Sequence, residues 1–184
     1  MHPKKQDNTG QEPRGLLMVF TGHGKGKTTS ALGMAMRAAG HGMKVLFLQF
    51  IKGSWKYGEM EAIARFPETI ELLVEGRGVT WKSDDLDKDK AAAINAWSKA
   101  KEAISSGKYD MIVLDEFTYL LLYNMIDRSE ALQTLAAKPS ALHLVITGRN
   151  APPELIEQAD LVTEMQAVKH PYKEGIKAQK GVEF

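Results

Sequence analysis

Thr21-Gly22-His23-Gly24-Lys25-Gly26-Lys27-Thr28-Thr29 lies between an apolar run, Leu16-Leu17-Met18-Val19-Phe20, and a helical segment, 27–39. A buried strand, a glycine-rich turn and a helix start make the setting of a phosphate-binding loop. Glycines let backbone N–H groups turn inward and approach phosphate oxygens closely. The helix N-terminus adds the positive end of its dipole. In such a loop Lys27 reaches phosphate oxygens and the Thr28 hydroxyl holds Mg²⁺. The common spacing is Gly, four residues, then Gly-Lys-Ser/Thr. Here the first of those positions is Thr21, and counted from Gly22 the loop is one residue short. His23 and Lys25 either contact phosphate or face water.

Outward from the loop, short apolar runs alternate with helical patterns. Helix 27–39 places Leu32, Ala35, Met36 and Ala39 on one face, and Gly40-His41-Gly42 ends it. Val45–Leu48, Met111–Leu114 and Leu142–Ile146 read as further buried strands, and Leu161–Met165 as a last one. A short helix near 58–65, a strand near 70–74 and the turn Gly76-Arg77-Gly78 fill a less regular middle. Residues 84–106 read as a long helix: Asp84 and Asp85 suit its N-terminus, Ala93, Trp97, Ala100 and Ile104 share a face, and Gly107 stops it. Residues 117–137 read as two helical pieces, and Pro153–Gln158 as a short helix. This alternation predicts an α/β fold, P-loop NTPase-like (RecA-like), with a mostly parallel sheet flanked by helices on both faces. Ligands then bind at the C-terminal edge of the strands. Residues 1–14 read as a flexible polar arm and 15–184 as a single domain.

Composition narrows the chemistry. The 184 residues are 43% hydrophobic and 26% charged, the profile of a soluble globular domain. Such a chain buries about two thirds of its unfolded surface, enough to fold without a staple. Twenty-four Lys and Arg against 23 Asp and Glu leave a net charge of +1, which argues against a broad nucleic-acid-binding face. With no cysteine, disulfides, thiolate metal sites and Cys nucleophiles are excluded. No apolar run approaches the roughly 18 residues of a membrane span, and the polar N-terminus has no signal-peptide core, so a cytoplasmic setting is expected.

Two more elements reach the ligand edge. Val113-Leu114-Asp115-Glu116 ends a buried strand, where an acid can hold Mg²⁺ directly or through water. Capping of the following helix by Asp115 is the alternative; the metal role is favoured for at least one of the two acids, and the pattern does not separate them. Thr147-Gly148-Arg149-Asn150 follows the fourth strand, where Arg149 is either a phosphate-neutralising fork or a surface residue at a turn. His143, in an apolar strand, reads as a satisfied core residue, and His170 carries no assignable role. Scattered histidines without cysteine argue against a transition-metal site.

From about Gly15 to Phe184 the chain resembles the P-loop type of ATP:corrinoid adenosyltransferase. The resemblance rests on FTGHGKGKTTSALGMAMRAAGHG, QFIKG (Gln49–Gly53), GRGVTW (Gly76–Trp81), VLDEFTYLL, ITGRNAPPELIEQADLVTEM and VKHPYKEGIKAQKGVEF. The shortened loop is characteristic of that family. The resemblance implies that Co(I) of a reduced corrinoid attacks the 5′ carbon of ATP and that triphosphate leaves. It implies a nucleotide lying reversed relative to ordinary P-loop proteins, with the γ-phosphate end deep in the loop.

By matching motifs, Gly22, His23, Gly24, Lys25, Gly26, Lys27, Thr28 and Thr29 would bind triphosphate. Arg37 would lie near the nucleotide and Arg149 near the triphosphate. Lys27, Arg149 and Glu116 would serve catalysis, and Thr28 with Glu116 or Asp115 would hold Mg²⁺. Trp81 and Val79 would lie against the corrin. Family members often carry Phe at the position of Val79, where the aromatic helps displace the lower axial base of cobalt. Valine there implies an enzyme that handles corrinoids without a strongly held lower base at least as well as complete cobalamin. Lys4 and Lys5 in the arm could help screen triphosphate. The resemblance also implies a homodimer, an electron-donating reductase as partner, and no nucleic-acid or membrane partner. The alternatives are a RecA-like nucleic-acid-dependent ATPase and a non-catalytic carrier of ATP and corrinoid.

Overall fold

The computed structural model describes residues 14–51, 57–75 and 86–184. Six strands form one sheet: β1 (Leu17–Thr21), β2 (Val45–Gln49), β3 (Ile70–Val74), β4 (Met111–Asp115), β5 (His143–Thr147) and β6 (Leu161–Glu164). Their order is β3-β2-β4-β5-β1-β6, and every pair is parallel. The helices are α1 (Lys27–Gly40), α2 (Gly58–Ile63), α3 (Leu86–Ser105), α4 (Thr118–Leu122), α5 (Arg128–Ala136) and α6 (Pro153–Gln158). A 3₁₀ turn, Pro171–Glu174, follows β6.

Parallel strands need long crossovers, and the crossover helices cover both faces. One face packs Met18, Phe20, Phe47 and Val113 beneath the alanines of α1, with Ile63 of α2. The other packs Leu46, Leu48, Ile112, Leu114, Leu144 and Ile146 beneath α3, α4, α5 and α6. Phe117 anchors that second core. Its ring lies 5.1 Å from Trp97 and 5.5 Å from Phe50, centroid to centroid. The Trp97 indole N–H donates to Glu130 at 2.8 Å, so the large ring is buried with its polar atom satisfied.

The structure shifts the buried face of α1. Ala31, Ala35, Ala38 and Ala39 are buried, Leu32 only partly, and Met36 is 52% exposed. Alanines let the helix lie close over the sheet, and the longer side chains flank the contact. On α3 the expected face holds: Ala93, Trp97, Ala100 and Ile104 are all buried. Gly107, at φ 66°, follows that helix. The two helical pieces of 117–137 separate at Asp127, which caps α5 by accepting the Glu130 N–H at 2.7 Å. Asp84, Asp85, the turn at 76–78 and the arm residues Lys4 and Lys5 lie outside the described residues. Arg14 pairs with Asp160, whose other carboxylate oxygen accepts the Leu17 N–H.

His143 behaves as a core residue. Its Nδ1 accepts the Leu16 N–H at 3.1 Å, which requires a neutral ring. Burial, then Lys138, lowers its pKa, against an opposing pull from Asp110. Below about pH 6.5 the unfolded chain therefore binds a proton that folded His143 refuses. Stability should fall as pH drops through that range. In urea unfolding at about pH 7.5 and 5.5, His143→Asn, which keeps an acceptor for Leu16, should flatten the dependence. An unchanged slope would contradict the assignment.

Candidate active site

The order β4-β5-β1 places β5 between the strand that feeds the glycine loop and the strand that ends in acids. The turns after all three strands therefore meet at one edge. They border a cleft of about 490 Å³ lined by residues 23–29, Leu32, Gly58, Glu59, Glu116, Arg149, His170 and residues 181–184.

The loop is shaped from behind. Met165 N–H donates to the Thr21 carbonyl at 2.9 Å, and Gly24 N–H to the Met165 carbonyl at 2.6 Å. A Cβ on Gly22 would fall 2.5 Å from the Met165 carbonyl oxygen, and one on Gly24 would fall 2.7 Å from the Gln166 backbone. Gly22 and Gly26 also hold φ of 93° and 122°. The glycines thus serve a close fit to residues 165–166 as well as backbone access to the cleft.

Lys27 is buried, and its ammonium donates to the carbonyls of Gly22 at 2.9 Å and Gly24 at 2.8 Å. Burial lowers its pKa, Arg149 and Lys25 lower it further, and Glu116 and Asp115 oppose them. Lys27 thereby ties the loop's own carbonyls together and belongs to the fold as well as to the cleft. His23, Lys25 and Thr29 are exposed and line the cleft.

The acids separate clearly. Asp115 is fully buried and ends β4. Its Oδ1 accepts the Thr28 hydroxyl at 2.9 Å and the Thr147 hydroxyl at 2.7 Å, and its Oδ2 accepts the Gln49 amide at 3.2 Å. It caps no helix: the N-cap of α4 is Phe117, with no side-chain bond. Glu116 lines the cleft. Its backbone sits at φ 62°, a conformation costing a non-glycine residue on the order of 1–3 kcal/mol. The Glu116 N–H donates to the Thr147 hydroxyl at 2.9 Å.

Arg149 is exposed and lines the cleft, and its carbonyl accepts the Thr118 hydroxyl at 2.7 Å. Tyr119 lies on the same side. Burial raises its pKa, Glu116 adds to the rise, and Arg149 opposes it. Arg37 is not brought to this cleft. It is exposed in the last turn of α1, ten residues or roughly 15 Å of helix beyond Lys27. Val79 and Trp81 lie outside the described residues.

Sequence reasoning missed the far wall. Gly181, Val182, Glu183 and Phe184 return from the end of the chain to face the loop, beside Gly58 and Glu59 of α2. His170 joins them, its Nδ1 accepting the Tyr172 N–H at 3.3 Å. A glycine-punctuated basic tail gave no local signal of this return.

Oxygen donors dominate the acidic side: the Thr28 hydroxyl, with Glu116 at the cleft and Asp115 behind it. Among the described residues no group of three His, Cys, Asp or Glu could hold a metal. A site with so few protein ligands suits Mg²⁺, which keeps waters and takes oxygens from phosphates.

Residues 13–184 match the family described as ATP:corrinoid adenosyltransferase BtuR/CobO/CobP. The chain is 47% identical to a corrinoid adenosyltransferase of Pseudomonas aeruginosa over 174 residues, 95% of this chain and 86% of that protein. It is 41% identical to the corrinoid adenosyltransferase of Escherichia coli K12 over 174 residues, 95% of this chain and 88% of that one. Among solved structures it is similar in fold to the flagellar accessory protein FlaH of Methanocaldococcus jannaschii. The TM-score is 0.54 at 11% identity, covering 85% of this chain and 73% of FlaH. That likeness concerns the fold alone. Among the described residues no helix is long and apolar enough to cross a membrane. The match over nearly the whole chain, with the P-loop-type sheet and cleft, shows that this chain belongs to the ATP:corrinoid adenosyltransferase family.

Proposed function

We propose that this protein transfers the 5′-deoxyadenosyl group of ATP to the Co(I) centre of a corrinoid and releases triphosphate. The reading is carried by the match across residues 13–184, joined to a cleft lined by the glycine loop, Lys27 and Arg149. In the step, the cobalt electron pair forms the Co–C5′ bond. The C5′–O bond breaks, and its electrons leave on the triphosphate. Co(I) is already a strong nucleophile, so no protein base is required. The protein's task is to align C5′ with cobalt and to stabilise a highly charged leaving group.

Lys27, the loop N–H groups and Arg149 stabilise that leaving group. The Thr28 hydroxyl and Glu116 would hold Mg²⁺, which neutralises phosphate charge when bound, while Asp115 holds the Thr28 hydroxyl. The buried position of Asp115 and the cleft position of Glu116 favour Glu116 as the acid nearer the metal. Gly22 through Thr29 cradle the triphosphate, with its γ end deep in the loop. Trp81 and Val79, outside the described residues, would be assigned to the corrin by the resemblance. Arg37, distant from this cleft, serves the nucleotide only if the bound state differs from this arrangement. A reductase that supplies Co(I), a homodimer and a cytoplasmic setting belong to the same proposal.

One assay tests it. Protein, Mg-ATP and chemically reduced corrinoid are mixed without air, the Co(I) spectrum is followed, and the phosphorus product is identified. Inorganic triphosphate in step with Co(I) loss is the expected result. ADP and orthophosphate, stimulated by DNA or RNA, would replace this reading with a nucleic-acid-dependent ATPase. Binding without any product would leave a carrier. Started instead from the Co(II) forms of cobinamide and cobalamin with an electron donor, turnover reads the consequence of Val79: cobinamide should be handled at least as well as cobalamin, and better turnover of cob(II)alamin would count against it.

A further inference from the structure

We infer that Thr147 is a positioning residue for the divalent cation, setting through one hydroxyl the geometry of both acids at the end of β4. The inference rests on the reading of Glu116 as the acid that faces the metal.

Thr147 ends β5, between the loop strand and the acid strand. It pairs with Phe20 on one side, and on the other the preceding pair is Leu114 with Ile146. Its hydroxyl donates to Asp115 Oδ1 at 2.7 Å and accepts the Glu116 N–H at 2.9 Å. A hydroxyl can do both at once, and its single proton is committed to the carboxylate. The same Asp115 oxygen receives the Thr28 hydroxyl at 2.9 Å. Thr147 therefore bonds Asp115 directly, reaches Thr28 through Asp115, and holds Glu116 by its backbone N–H.

The bond to Glu116 matters most, because that residue holds φ 62°. Such a backbone persists only where its surroundings over-determine it. Among the described contacts, the acceptor that holds this N–H is the Thr147 hydroxyl. Thr147 is fully buried, so water cannot take its place. Relaxation of φ at Glu116 would redirect its side chain away from the cleft. A valine fills the same space but offers neither the acceptor nor the donor.

The test measures Mn²⁺ bound to the protein–ATP complex by electron paramagnetic resonance, without corrinoid, so that no turnover intervenes. Thr147→Val should weaken Mn²⁺ binding by about tenfold or more, the usual loss when a group that orients a metal ligand is removed. Thr147→Ser, which restores the hydroxyl, should stay within about twofold of the parent. Glu116→Gln should also weaken binding, and Thr147→Val should add less in that background than alone. If Thr147→Val binds Mn²⁺ as the parent does while Glu116→Gln does not, the inference is overturned and the reading of Glu116 stands. If Glu116→Gln binds normally, that reading itself fails. Should the valine variant not fold by circular dichroism, Thr147→Cys fills similar space with a weak donor and is held to the same expectation.

Discussion

Lys27→Ala should lower adenosyl transfer by at least about 10²–10³-fold, the cost of losing one donor aimed at developing negative charge. Triphosphate carries its charge away from C5′ as the bond breaks, and Lys27 is the buried cation at the base of the loop. The loss should fall mainly on kcat, because the interaction strengthens as charge builds on the leaving group. The same substitution should reduce stability. It removes donors from the Gly22 and Gly24 carbonyls, and hydrogen bonds from a charged group contribute on the order of 1.5–3 kcal/mol. Urea unfolding together with turnover separates the two effects. A variant still folded at assay temperature and as active as the parent would remove Lys27 from the site.

Gly148→Ala is expected to be strongly destabilising. Gly148 sits at φ 140°, and a Cβ there would fall 2.0 Å from the Thr118 hydroxyl oxygen and 3.0 Å from Thr118 Cβ. Thr118 is fully buried and cannot swing away. Its hydroxyl also holds the Arg149 carbonyl. The added methyl must therefore move either Thr118, at the start of α4, or the turn that carries Arg149. Backbone strain and overpacking together should cost more than about 2 kcal/mol in urea unfolding. Surviving activity should fall further than the folded fraction, because Arg149 is displaced even in molecules that fold. Parent-like stability would show that Thr118 does not occupy this position.

Much of the fold was legible because parallel strands buried on both faces read as unbroken apolar runs, and Val45–Leu48 and Met111–Leu114 are such runs. The helical face of α3 was legible because a Trp and an Ile at helical spacing mark a core stripe. On α1 the same rule misplaced the face: Met36 outweighed the alanines, although close approach to the sheet selects the smaller side chains. At the ligand edge, the glycine loop and the acid pair Asp115-Glu116 were readable from strand–turn–helix context. Which acid is buried and which lines the cleft was not, since it depends on φ at one residue and on a threonine from another strand. The return of residues 181–184 to the cleft was equally hidden, because it follows from tertiary path and not from local pattern.

The fit of Gly22 and Gly24 against residues 165–166 joins positions about 140 residues apart in the chain. On the ribosome, then, the first strand and its turn emerge long before their backing does. A nascent chain would not sequester nucleotide until its final strand had docked. In the finished protein, fraying of the exposed edge strand β6 would loosen the backing of the loop, so a nucleotide bound as proposed would brace that edge of the sheet.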